Sequence, residues 1–266
     1  MTTAVFLRAL KDRWPTMLAL AVGLALFLGM TAWWYPEYRA QAEISMKLLP
    51  SFIKKMMGAR VSMARPEGYV SWILIHPLCL AMLATWAIGV PSAAIAGAIE
   101  RGTLAFTLSG PITRARFILA QVGLLVLGQA VTIAACVGVV AAMFAWHAVV
   151  LPGGLAGWLL ASLQALLLML GIGGVTLLLS AAASESANAF RPAIALMMIA
   201  LFVSLFGDVF RALEPLKPLS PFSWFRPYEP LAGKETAWTA WACLAGLPLV
   251  TMLGAWQVFA RRNLSI

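Results

Sequence analysis

The distribution of charge constrains this chain more than any other feature. Lys, Arg, Asp and Glu are absent from residues 14–36, 68–99, 117–184, 192–207 and 236–260. A membrane-spanning helix takes about 20 predominantly apolar residues. The run 117–184 is too long for one helix and suits two, joined at Pro152-Gly153-Gly154. Six spans are therefore predicted, near residues 15–35, 70–95, 117–144, 157–180, 192–211 and 239–259. Composition agrees: 62% of the 266 residues are hydrophobic and 11% are charged, against about a quarter charged in a soluble domain. So much exposed apolar surface is not tolerated in water. The expected fold is all-α and polytopic, one transmembrane domain over residues 1–266.

The flanks of the spans carry their own patterns. In residues 3–13, Phe6, Leu7, Leu10 and Trp14 share a face, and Arg8, Lys11 and Asp12 fall off it. Pro15 breaks the path that follows. A short N-terminal interfacial helix is predicted, with a plain extension of the first span as the alternative. The basic start leads into a long apolar run without a small-residue cleavage site, so it reads as a true span rather than a cleaved signal. Across residues 36–68, Ile44, Leu48, Leu49, Phe52, Ile53, Met56 and Met57 recur at helical spacing, with Lys47, Lys54 and Lys55 largely off the stripe. Pro50 starts a second short helix there, and Gly58 ends it. This segment is an interfacial helix, a lid over a translocation path, or a helix packed on its own bundle. Residues 212–238 hold Pro215, Pro218, Pro221, Pro227 and Pro230 beside Trp224, Tyr228 and Trp238. They predict a non-helical loop with an interfacial aromatic belt.

Six spans put both termini and the 98–116 loop on one side. Of the 19 Lys and Arg, nine fall on that side and ten on the other. The raw count does not decide, but the positive-inside rule weighs short segments tight against the spans. That weighting places the termini in the cytoplasm. The net charge of +9 is scattered over loops, which suits anionic lipid headgroups rather than nucleic acid.

A search for chemistry within the chain comes back thin. No glycine-rich loop ends in Lys-Ser or Lys-Thr, so the chain does not cradle nucleotide phosphates itself. His76 and His147 have no partner at i+3 or i+4 that completes a metal site. Cys79, Cys136 and Cys243 lie in predicted spans without metal-ligand spacing and read as packing residues. An intramembrane serine protease needs Gly-x-Ser-Gly and a His on another helix. Here Ser109-Gly110 lies outside the spans, and the last span has no His. The span interiors hold no ionisable residue, which argues against ion-gradient coupling. Asp208 and Arg211 stand towards one end of the fifth predicted span; Asp208 reads as a helix-end residue near the headgroups, with a substrate contact as the weaker alternative. No catalytic, cofactor-binding or metal residue is expected in this chain.

What remains is the charged island Ala98–Arg116 between the second and third spans. Gly102 loosens the backbone after Glu100-Arg101, and Thr103 can cap a new helix. Leu104 and Leu108 then share a face at i and i+4, and Gly110-Pro111 ends the segment. Thr113 can cap the next helix, with Arg114 and Arg116 at the headgroups. Reconnecting two helices needs only a few residues, so this much capped structure calls for a further purpose.

The run Glu100-Arg-Gly-Thr-Leu-Ala-Phe-Thr-Leu-Ser-Gly-Pro-Ile-Thr-Arg-Ala-Arg-Phe117 resembles the cytoplasmic loop of type-2 ABC transporter permeases, the exporter class related to sodium, drug and lipid exporters. Glu100, Gly102, Thr103, Leu104, Leu108, Pro111, Ile112 and Arg114 match the family pattern. Ala105 stands where an acidic residue is common, and Thr113 replaces the usual Ser. The likeness extends to the N-terminal segment, the six spans, the outer loop and the basic tail Arg261-Arg262-Asn263-Leu264, but only the loop motif is specific. The resemblance implies a coupling helix seated on a separate ABC ATPase subunit, which would carry ATP and Mg. It also implies a second permease, a copy or a homologue, and a bacterial inner-membrane location. On that reading Glu100, Gly102, Thr103, Leu104, Leu108, Pro111 and Arg114 couple ATP hydrolysis to transport. Leu104 and Leu108 would form the docking ridge, and Glu100 and Arg114 polar contacts or helix-end anchors. A non-transport scaffold or sensor that binds a cytoplasmic partner is the alternative. The cargo is not legible.

Overall fold

The computed structural model describes residues 2–48, 50, 63–110 and 112–263. Six helices are long and apolar enough to cross a membrane. They are the first span Thr2–Trp33, the second Pro77–Ala94, the third Arg114–Trp146, the fourth Gly154–Ala182, the fifth Ser186–Phe206 and the sixth Trp238–Arg261. Backbone polar groups in lipid must be satisfied within the segment, which is why apolar runs of this length become helices.

The fourth span is the hub. It packs on the second, third, fifth and sixth spans, while the first lies mainly along the third. Glycines set the close approaches. A Cβ at Gly174 would sit 2.1 Å from Thr251 Oγ1 of the sixth span. One at Gly128 would sit 2.1 Å from the ring of Trp86, whose indole N–H reaches the carbonyl of Leu125 at 3.3 Å. Lipid tails give helices no hydrophobic reason to associate, so packing of this kind holds the bundle.

Four local expectations change. The N-terminal segment is not a separate helix, because the first span runs unbroken through Pro15. Proline removes one backbone bond but already has a helical φ, and membrane helices tolerate it. Thirty-two residues make a helix of about 48 Å, longer than the roughly 30 Å hydrocarbon core, so the helix extends beyond the core. The second span is preceded by a helix Pro66–Ile75, broken at His76, and followed by a short helix Ala96–Glu100, broken at Ile95. His76 caps the second span: its Nδ1 accepts the N–H of Leu78 at 3.3 Å.

The fifth span begins six residues early, at Ser186, and ends at Phe206, so Asp208 and Arg211 lie beyond it. The proline-rich segment folds into helical turns at Glu214–Leu219, Pro221–Trp224 and Tyr228–Leu231. It is not a plain loop but a plug, with Phe222, Phe225 and Leu231 buried in the core, while the belt residues Trp224 and Tyr228 stay half-buried and Trp238 exposed. Buried Gln164 of the fourth span ties down the middle of the plug and the segment that follows it. Its Oε1 accepts Arg226 N–H at 2.9 Å, and its Nε2 donates to Thr236 Oγ1 at 3.1 Å. In the 36–68 segment a helix spans Tyr35–Leu48, with Ile44 and Leu48 exposed. The second helix predicted there, from Pro50 to Gly58, lies outside the described residues.

Candidate functional site: the charged island and the helix ends it caps

The island folds as Ala96–Glu100, a turn at Arg101-Gly102, and a second short helix Thr103–Leu108. Gly102 has φ 68°, a left-handed conformation that costs glycine little. Thr103 is not the cap. Gly102 occupies that position, and the Thr103 hydroxyl donates back to the carbonyl of Ala98 at 3.3 Å. Thr113 does cap the third span, its Oγ1 accepting Arg116 N–H at 3.3 Å. Pro111 lies outside the described residues.

The leucine ridge faces inward. Leu104 is 3% exposed, in a cluster with Ile95, Phe117, Leu177 and Phe259, and half-buried Leu108 packs against the same cluster. An apolar pair next to a greasy bundle end buries itself there first. The side chain that projects is Phe106, at 83% exposure. The sequence offers no way to tell these faces apart, since Leu104, Phe106 and Leu108 are all apolar.

Three charged side chains each close a different helix end. The Glu100 carboxylate accepts the backbone N–H of Ser186 at 3.0 Å and its hydroxyl at 2.7 Å, at the start of the fifth span. A carboxylate there satisfies an orphan donor and suits the positive end of the helix dipole. The Ser186 backbone N–H, then its hydroxyl, hold the Glu100 carboxyl below its ordinary value of 4.5. Arg114 donates to the carbonyls of Phe259, Ala260 and Arg262 at 2.8, 3.2 and 2.7 Å, closing the end of the sixth span. Its guanidinium also stands 5.5 Å from the centre of the Phe259 ring. Arg262 donates to the carbonyls of Ala181 and Ala183 at 2.9 and 2.6 Å and to Ser184 Oγ at 2.7 Å, closing the end of the fourth span. Glu100 and Arg114 are thus helix-end anchors, one of the two roles expected of them.

A fourth tie lies one turn deeper. The fully buried Ser180 hydroxyl of the fourth span accepts the N–H groups of Ile95 and Ala96, at 3.3 and 3.0 Å. It donates to the carbonyl of Ser92 at 3.1 Å. It therefore stands between Ala96 N–H and Ser92 C=O, a pair that an unbroken helix joins directly. An inserted side chain of this kind is a recognised cause of a helix break. Sequence reasoning passed over Ser180, Arg262 and Gln164 as site residues; the available signal was a lone polar residue in an apolar run, or a basic residue just past a span.

Among the described residues no group of three His, Cys, Asp or Glu could hold a metal ion. The island between the second and third spans is bonded directly to the fifth and sixth, and through Ser180 and Arg262 to the fourth. No curated protein matches the chain. The profile of the family described as ABC-2 family transporter protein matches residues 5–264, nearly the whole sequence. The chain therefore belongs to the ABC-2 family of transporter proteins, as a multi-pass membrane permease component.

Proposed function

We propose that this permease exports its cargo using ATP hydrolysed on a separate ABC ATPase subunit, with the island as the coupling element. On this reading the island and both termini face the cytoplasm of a bacterial cell, and the working unit pairs the chain with a second permease and two ATPases. ATP and Mg belong to those partners. The observation that carries the reading is the set of ties from the island end to three spans. A push on Thr103–Leu108 reaches the fifth span through Glu100, the sixth through Arg114 and the fourth through Ser180. Leu104 and Leu108 fix the island to the bundle, Gly102 and Thr103 set its turn, and Phe106 is the contact offered to the ATPase.

The test is ATPase stimulation in the reconstituted complex. Phe106→Asp leaves the permease folded and cuts stimulation by the permease about tenfold or more. Stimulation unchanged by Phe106→Asp overturns the assignment of the contact. An ATPase that binds the chain with no cargo movement favours a scaffold or sensor instead.

A further inference from the structure

The first span lies mainly along the third and touches the second only sparsely. At the island end this leaves a cavity of about 580 Å³, walled by the start of the first span, the end of the second, the island and the start of the third. Its floor is apolar, with Val90, Phe117 and Leu124 all buried. Its mouth is basic. Arg8 and Arg13 reach it from the first span, and Arg101 from the island turn. Among the described residues Asp12 is the one carboxylate that lines it, and none of these four side chains forms an ion pair. Glu100 does not line it and is held by Ser186 instead. The Arg101 guanidinium folds back along its own short helix: a Cβ at Gly97 would sit 3.0 Å from its Nη1 and 3.4 Å from the Cβ of Ala93, a cavity wall.

Hydrocarbon can reach the same place. Leu78, Ala81 and Thr85 of the second span are exposed, and a Cβ at Gly89 would meet nothing within 4 Å. With Ala93 these positions recur every three or four residues, so they share one face and form an open lane that ends at the cavity. Thr85 turns its hydroxyl onto the Ala81 carbonyl at 2.9 Å, which leaves the lane apolar. From Ala81 to Ala93 the helix rises about 18 Å, close to the roughly 15 Å of hydrocarbon in one leaflet. A guanidinium holds a phosphate through parallel N–H bonds, and basic pockets between membrane helices take anionic headgroups. We propose that this cavity binds an anionic phospholipid, its phosphate at Arg8, Arg13 and Arg101 and one acyl chain along Ala93, Gly89, Thr85 and Ala81. The site needs no ATPase, so it stands apart from the coupling reading.

Native mass spectrometry of the delipidated chain in detergent, titrated with phosphatidylglycerol, reads the affinity of the first lipid bound. Phosphatidylglycerol binds more tightly than phosphatidylcholine with the same chains, and excess inorganic phosphate does not displace it. Arg8→Gln combined with Arg101→Gln weakens it by about twenty- to thirtyfold, at about fivefold for each cation near an anionic lipid. Arg191→Gln combined with Arg261→Gln removes the same charge from exposed sites at this end of the bundle but outside the cavity, and leaves the affinity nearly unchanged. Ala93→Phe keeps every arginine, fills the joint between cavity and lane, and weakens binding too. Equal affinity for phosphatidylcholine, displacement by phosphate, equal losses in the two arginine pairs, or unchanged affinity in either the Arg8→Gln/Arg101→Gln or the Ala93→Phe protein overturns the proposal. The coupling reading fails by a separate result, unchanged ATPase stimulation in Phe106→Asp.

Discussion

Ser180→Ala tests the joint between the second and fourth spans most directly. The substitution removes one oxygen that serves Ile95 N–H, Ala96 N–H and Ser92 C=O. Two outcomes bracket the cost. If the break stays open, three buried backbone groups lose their partner. At about 0.6 kcal/mol for an average hydrogen bond inside a membrane protein the loss is roughly 2 kcal/mol, and full desolvation at about 1–3 kcal/mol per unmet group sets the ceiling. If the break closes, Ala96 N–H bonds Ser92 C=O directly and most of that energy returns. The second span then straightens through Ile95 and swings the island. Backbone groups in lipid seldom stay unmet, so closure is the expected outcome, with a net loss of about 1 kcal/mol. For a chain of this size that is about 2–4 °C in Tm.

The assay uses a Cys243→Ser background with spin labels at exposed Ser109 and Glu185. Ser180→Ala should shift the distance distribution between them while lowering Tm only slightly. Ser180→Cys, which keeps the bulk and a weak donor, should fall between. A Ser180→Ala protein with both the distance and Tm of the parent would refute the claim that this hydroxyl holds the break.

The other predictions concern the ties and the exposed contact. Arg262→Ala strips the cap from the fourth span and should cost roughly 2–3 kcal/mol, the range for hydrogen bonds from a charged donor; Arg262→Lys should recover only part, since one ammonium lacks the fork geometry. Scanning calorimetry in detergent checks both, and a neutral Arg262→Ala would count against the clasp. Leu104→Asp buries a carboxylate in an apolar cluster and should destabilise by several kcal/mol, whereas Phe106→Asp, at an exposed site, should stay within about 0.5 kcal/mol. Phe106→Asp should still cut stimulation of the partner ATPase by about tenfold or more, as for an aromatic interface anchor. Because its folded value is depressed, Glu100 contributes stability above pH 4.5 that is lost as pH falls through that lower value. A spin label at Ser109 should therefore become more mobile in acid in the parent and be mobile at neutral pH in Glu100→Gln; an acid step that survives in Glu100→Gln would point to another group.

Span number was legible because the constraint is local. An apolar run of the right length can only become a helix in lipid, and the run itself states its length. Fine boundaries were less legible where polar residues join a helix without breaking it. Ser186 to Arg191 looks like a turn in sequence, yet it is the first part of the fifth span because Glu100, 86 residues away, supplies its cap. The island was visible as a motif, but which face of Thr103–Leu108 turns inward depends on Ile95, Leu177 and Phe259, brought there by the break after the second span and by the fourth and sixth spans. The proline-rich plug was misjudged for a similar reason. Five prolines forbid a long helix, but they do not forbid short turns that bury Phe222 and Phe225 under a glutamine of the fourth span.

The same contrast locates where movement can begin. The middle of the bundle is held by glycine contacts, as at Gly174 against Thr251 and Gly128 against Trp86, and close-packed interiors transmit displacement rather than absorb it. The island end adds a few hydrogen bonds from single side chains to the packing of Leu104 on Phe117, Leu177 and Phe259. A load on the island therefore passes through Glu100, Arg114 and Ser180 as well as through that packing. Of these, Ser180 alone has a ready alternative arrangement, because the helix it interrupts can re-form its own bond. A two-state element needs such a pair of satisfied geometries. The break at Ile95 supplies one, between the island and the hub of the bundle.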